Sequence, residues 1–435
     1  MKKLLMCSAA IALGLAVAAP AKADGIKLDL AGHFKGYVTW LSQDTIPGTN
    51  ERHFDILRET EIHFTGETTL DNGLTVGVHH EADIDQQKQD WAAPASFDTF
   101  LTEESYAYFS GAWGRVNFGK EDGANYLLQV AAPSADENFD GLRQYINPLN
   151  NQNVFATLYA ALSAGIPPPG PTGQIGGMGA RGFANTGKLD YSNDATGYSN
   201  KLTYLTPVFS GFQAGVSYTP TSGGVQIGGS PSGTDGSKAF GVSFSNNGSG
   251  LDTYGSAWEG AVRYEGKWQE LGINLGGGYT HVATQQTFAG PLFGAGTLGS
   301  NVDSFNQWNL GAAMTWQQFG LGVVYTKDNG GLSNDGENKT WVVGLDYTTG
   351  PFKLGASYLN NHEDLGEVAT GGGLNVSTDI GTLDTNRWAG GVVYTYGPGM
   401  TFRGSAGWVR SNLPDNIGGG DAKATDVLLG TQINF

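Results

Sequence analysis

The residues best suited to chemistry in this chain are few. His79-His80-Glu81 offers two imidazoles and a carboxylate, the donor types of a zinc-type centre. On an extended strand, however, neighbours point to opposite faces, so His79 and His80 cannot converge on one ion. Gly276-Gly277-Gly278 has the composition of a phosphate cradle, yet no helix-opening pattern follows and its flanks read as strand. Asn247-Gly248-Ser249 matches a glycosylation sequon, for which a loop Asn-Gly is the simpler reading. A hydrolase needs a Ser or Asp nucleophile with a His base in reach, and no sequence cue ties a histidine to one. The sequence therefore predicts no catalytic residue, no metal and no cofactor.

The surrounding elements are more informative. Leu28, Leu30, Phe34, Val38 and Trp40 share one face of the first segment, while Asp29, His33, Lys35, Tyr37 and Thr39 share the other. The next places Phe54, Ile56, Ile62 and Phe64 outward and Asp55, Glu59, Glu61 and His63 inward, up to a turn at Asp71-Asn72-Gly73. The same period of two recurs to the C-terminus and predicts about sixteen strands, with 239–246 assigned to a loop to keep the count even. Short connections, such as Gln317-Gln318 and Gly397-Pro398-Gly399, alternate strictly with long polar ones. That alternation predicts an all-β fold: a transmembrane, antiparallel, up-and-down β-barrel with short turns at one rim and long loops at the other. The barrel must close, because unpaired backbone groups in hydrocarbon cost several kcal/mol each. Trp113, Phe209, Trp268, Trp316, Phe352 and Tyr396 flank the short turns, and Trp40, Trp308, Trp388 and Trp408 lie nearer the loops, which predicts two interfacial girdles. Arg58 falls on the lipid side of its strand and must lie near a rim, a subunit contact or a bulge.

Composition and ends agree with export. Lys2 and Lys3 precede an apolar stretch that reaches Ala21-Lys22-Ala23, a small-x-small cleavage pattern, so residues 1–23 are expected to be a removed signal peptide and 24–435 the barrel domain. The single cysteine, Cys7, leaves with the signal, so no thiol remains for disulfide, metal or nucleophile. The signal holds three lysines and no acid, so its removal takes the formal net charge from −17 to about −20. Such a balance excludes nucleic acid as a partner and favours cations in polar loops and lumen. Aromatics at 11% argue against disorder despite the 68 glycines, and no later segment approaches eighteen consecutive apolar residues.

Four stretches resemble the Gram-negative general porins: Leu28-Asp29-Leu30-Ala31-Gly32-His33-Phe34, Gly114-Arg115-Val116-Asn117-Phe118-Gly119-Lys120, Asn200-Lys201-Leu202-Thr203-Tyr204, and the final strand Val427 to Phe435. The resemblance implies an outer-membrane location, a homotrimer in contact with lipid and lipopolysaccharide, and recognition of Phe435 by the barrel assembly machinery. It also implies that the third long loop, about 121–196 here, folds into the lumen and sets acids against basic residues of the wall. Asp136-Glu137-Asn138-Phe139-Asp140-Gly141 resembles the family's acidic loop tip. Asp122, Asp136, Glu137 and Asp140 are then the expected acidic side. Lys35, Arg115, Lys120 and Arg403 are the expected basic side, with His33 a further inward residue. The same loop holds a Pro- and Gly-rich tract at 165–182 and a possible short helix at 158–163. The expected activity is passive diffusion of small hydrophilic solutes and ions with mild cation selectivity. A solute-specific channel for a sugar or organic acid and a non-conducting structural barrel or adhesin are the alternatives.

Overall fold

The computed structural model describes residues 25–44, 53–87, 101–149, 189–220, 252–287, 304–330, 337–364, 367–369, 377–379, 381–417 and 419–435. The segments 158–163, 165–182 and 239–246 lie outside them. The strands are β1 (Lys27–Gln43), β2 (Phe54–Thr69), β3 (Thr75–Gln87), β4 (Leu101–Gly111), β5 (Gly114–Glu121), β6 (Ser199–Leu205), β7 (Phe212–Thr219), β8 (Asp252–Trp268) and β9 (Leu271–Thr287). They continue with β10 (Phe305–Trp316), β11 (Phe319–Asp328), β12 (Asn338–Thr349), β13 (Phe352–Asp364), β14 (Glu367–Ala369), β15 (Ser377–Asp379), β16 (Thr382–Gly397), β17 (Met400–Asn412) and β18 (Asp421–Asn434). Sixteen of these form one closed antiparallel barrel. The remaining two, β14 and β15, make a separate hairpin between β13 and β16, a feature absent from the sequence reading.

Closure follows from β1 pairing with both β2 and β18. Gly32 and Phe435 exchange two backbone hydrogen bonds, Gly32 N to Phe435 O at 2.9 Å and Phe435 N to Gly32 O at 3.0 Å, so the last residue completes the sheet. The short turns have the conformations their residues permit. Gly73 adopts φ +80° beside Asn72, whose side-chain oxygen accepts a bond from Leu74 N, and Gly399 adopts φ +75° at the turn between β16 and β17.

The outer surface is apolar to a degree no water-soluble monomer tolerates. Leu310, Leu345, Val262 and Leu429 are each more than half exposed, as are Trp268, Trp316, Trp388 and Phe209 nearer the strand ends. Arg58 keeps its outward register, and the β2–β3 pairing shifts between Thr60 and Glu61, two residues away, which places it beside a bulge.

The inner face departs from a simple wet wall. Leu57, Val324, Val342, Leu359 and Leu428 point inward by strand parity and are fully buried. They pack against Ala132, Phe139, Ile146, Leu149, Leu189 and Tyr191 of the connection between β5 and β6, which therefore lies inside the barrel. Inner glycines let its backbone approach closely. A Cβ on Gly355 would stand 2.5 Å from Ala135 N, one on Gly311 would stand 2.8 Å from Val130 Cβ, and one on Gly344 would overlap Pro133 O.

Candidate functional site

The lumen is shaped by this third long loop, of which 122–149 and 189–198 are described. Its first turn, α1 (Ala124–Leu127), packs on β8 and is bonded to its neighbours, to β7 by Ala124 N to Ser217 Oγ at 2.9 Å and to β9 by Asn125 Nδ2 to Thr280 Oγ1 at 2.8 Å. Further on, α2 (Glu137–Asp140) begins at Asp136, whose carboxylate accepts from Asn138 N. Asn138 O then accepts from Tyr145 N and Ile146 N, both at 2.9 Å, which folds the tip into a compact knot.

Asp136 is the anchor of this tip. Its Oδ1 accepts from Arg403 Nη1 at 2.8 Å and from Tyr37 Oη at 3.0 Å, while Oδ2 accepts from Ser405 Oγ at 3.0 Å. The group is 1% exposed, so each bond is made out of bulk water and is correspondingly strong. Arg403 also faces Glu137 Oε1 at 3.6 Å, and that carboxylate is two-thirds exposed to the lumen. Asp140 accepts from Ser357 Oγ at 2.7 Å. Burial pushes its carboxyl above the usual range, against the nearby Arg387 and the Ser357 bond, which pull it down.

Asp122 belongs to a second cluster at the loop's root. Arg143 Nη2 lies 3.4 Å from Asp122 and forms a closer pair with Asp194, and its Nη1 donates to Tyr198 Oη at 2.7 Å. Burial pushes the Asp122 carboxyl up to about 7, with Arg143 opposing that rise and Asp194 adding to it.

The expected basic residues do not form one array. Lys35 pairs with Glu59 at 2.6 Å and stands 3.4 Å over the Tyr145 ring, so it touches the loop tip. Arg403 faces Asp136 and Glu137 as described. Arg115 points inward but sits at the short-turn end of β5, bonded to Asn117 at 2.6 Å and stacked 3.9 Å over Tyr108. Lys120, expected on the basic side of the lumen, does not face it. It is paired with Ser105 and the exposed Asn200, five residues along from Arg115 and therefore on the opposite face, and its ammonium turns back to Thr102 O. His33 is inward and bonds Glu59 at 3.2 Å.

Three participants escaped the sequence reading. Arg387 is fully buried and donates to Phe139 O at 3.3 Å and Leu189 O at 2.7 Å, tying both limbs of the loop to β16. Its inward parity with Leu383 and Thr385 was the available signal. Arg143 carried no such signal, since its partners Asp122 and Asp194 are distant in sequence. Strand parity alone puts Tyr37 on the inner face, but its role as a bond donor to the loop depends on the fold.

With this geometry in hand, the comparisons with known proteins are decisive on one point. A family model described as Gram-negative porin matches residues 8–413. The chain belongs to the Gram-negative porin family. Among solved structures, the anion-selective porin from Comamonas acidovorans is 15% identical, covers 94% of this chain and all of its own, and superposes with a TM-score of 0.54. Salmonella typhi OmpF in complex with daunomycin is 16% identical over 94% of this chain and 98% of its own, at 0.53. The outer-membrane channel DcaP of Acinetobacter baumannii is 10% identical over the same shares, at 0.53. At these identities the likeness is one of fold. No curated protein matches the sequence. This porin is thus an outer-membrane channel protein that crosses the bilayer with strands.

Proposed function

We propose that this porin is a water-filled channel for passive diffusion of small hydrophilic solutes, narrowed by its third loop and mildly selective for cations. The observation that carries the selectivity is the acidic excess: 41 Asp and Glu against 24 Lys and Arg in the sequence, with eleven buried carboxyl side chains against Lys35, Arg115, Lys201, Arg387 and Arg403 among the described residues. A low-dielectric wall focuses the field of such an excess along the aqueous path and raises the local concentration of cations. Exposed Glu137 beside Arg403 adds a local dipole at the loop tip, where passing water and dipolar solutes meet it.

Family membership also supports a homotrimer in contact with lipid and lipopolysaccharide, a signal removed after Ala23, and recognition of the Phe435 end by the assembly machinery. Reversal potential in a KCl gradient tests the selectivity. A cation-signed potential is expected, and an anion-signed one overturns the claim. A current blocked saturably by a single sugar or organic acid would instead identify a solute-specific channel.

A further inference from the structure

We propose that His63, His79 and Glu81 form a site for a divalent transition-metal ion of the Zn²⁺ type on the lumen wall. His79 and His80 do diverge, as strand geometry requires: His80 is exposed on the outer face, bonded to Ser105 Oγ. Convergence comes instead from the neighbouring strand. Antiparallel register sets His63 of β2 opposite Glu81 of β3 and Thr65 opposite His79, which brings both imidazoles and one carboxylate to a single inward patch.

The donor atoms already have the spacing that a metal needs. His63 Nδ1 lies 3.1 Å from Glu81 Oε2, and His79 Nε2 lies 3.7 Å from the same oxygen. A tetrahedral ion with bonds near 2.1 Å separates its ligand atoms by about 3.4 Å, so the pair of distances brackets the required edge. The His63 and His79 rings stand 5.8 Å apart at their centroids. Imidazole and carboxylate together suit zinc, copper or nickel better than calcium or magnesium.

The outer partners fix the imidazole tautomers for this use. Thr65 Oγ1 lies 2.9 Å from His79 Nδ1, so that nitrogen can carry the proton and leave Nε2 as the metal donor. Glu61 Oε2 lies 3.3 Å from His63 Nε2, so a proton there is held by a carboxylate while Nδ1 turns to the ion. Among the described residues, the other histidine-bearing set, His33, Glu61 and His63, would consume that supporting carboxylate as a ligand, and it shares His63. A fourth donor is at hand in Glu104, 3.9 Å from His79 Nε2 on the next strand. His63, His79 and Glu81 are 27%, 17% and 16% exposed, so an ion in the lumen can reach them.

The test is equilibrium binding to the untagged full chain folded in detergent, which does not depend on conductance and so fails or succeeds separately from the channel reading. Titration with Zn²⁺ is expected to give one ion per chain at micromolar affinity. His63→Ala and His79→Ala should each weaken it by about tenfold or more, while His80→Ala binds as the unaltered protein does. Cu²⁺ loaded on the unaltered protein should show coupling to two imidazole nitrogens in its electron paramagnetic resonance spectrum, a readout independent of how the variants fold. Affinity no better than millimolar, retention of binding in folded His79→Ala, or a spectrum with fewer than two nitrogens overturns the proposal.

Discussion

Replacing Asp136 by Asn removes the charge that holds the third loop to the wall while preserving the side chain's shape. The native carboxylate takes bonds from Arg403 at 2.8 Å and from Tyr37 and Ser405 at 3.0 Å, and the two charged side chains are 1% and 5% exposed. Removing one member of so buried a pair leaves the guanidinium uncompensated, a cost of about 3–5 kcal/mol. Part of that is recovered by Glu137, already 3.6 Å from Arg403, but using it requires α2 to shift from its present seat. If the full cost falls on docking, the ratio of docked to undocked tip drops by a factor of about a hundred to a few thousand. Single-channel recording reads this directly. Asp136→Asn is expected to give larger and noisier unitary conductance than the unaltered porin, and Asp136→Asn combined with Arg403→Gln should recover part of the quiet behaviour, since the orphaned charge is gone. An Asp136→Asn channel with unchanged, quiet conductance would show that the ion pair does not hold the constriction.

Gly344→Val and Gly355→Val place a side chain against backbone atoms of Pro133 and Ala135 that cannot rotate away, so the loop must lift from the wall. Both variants should open the loop to limited proteolysis in folded protein, as mapped by mass spectrometry, whereas Gly260→Val, with nothing within 4 Å of its added Cβ, should not. The Asp122 carboxyl, pushed up to about 7 by burial, is charged above that value and neutral below it. Lowering the pH from about 8.5 to about 5.5 should therefore reduce the cation-to-anion permeability ratio measured by reversal potential, and Asp122→Asn should flatten that dependence.

The barrel was legible in the sequence because strand parity and connection length are local properties. Leu28 to Trp40 and Phe54 to Phe64 sort correctly with no knowledge of their neighbours, and turn residues such as Asp71-Asn72-Gly73 mark the short rim. The interior was less legible, because the loop's docking is a matter of long-range pairing. Tyr37, Arg387 and Ser357 meet loop residues that lie some hundred to two hundred and fifty positions away. Nothing in the period of two says that Leu57 or Val342 will face a folded loop and not water. Lys120 failed for a simpler reason: five residues from Arg115 is an odd step along one strand, so the two cannot share a face. The His79-His80 step was read correctly by the same rule, yet the rule is blind to His63, which register alone supplies.

The central claim is that the closed barrel carries an aqueous path past its docked loop. Planar-bilayer recording of the refolded, unaltered protein tests it most directly. Discrete, ohmic current steps that persist at both polarities are predicted. Protein that shows the β-sheet circular dichroism of a folded barrel, inserts into the bilayer and passes no current would contradict it.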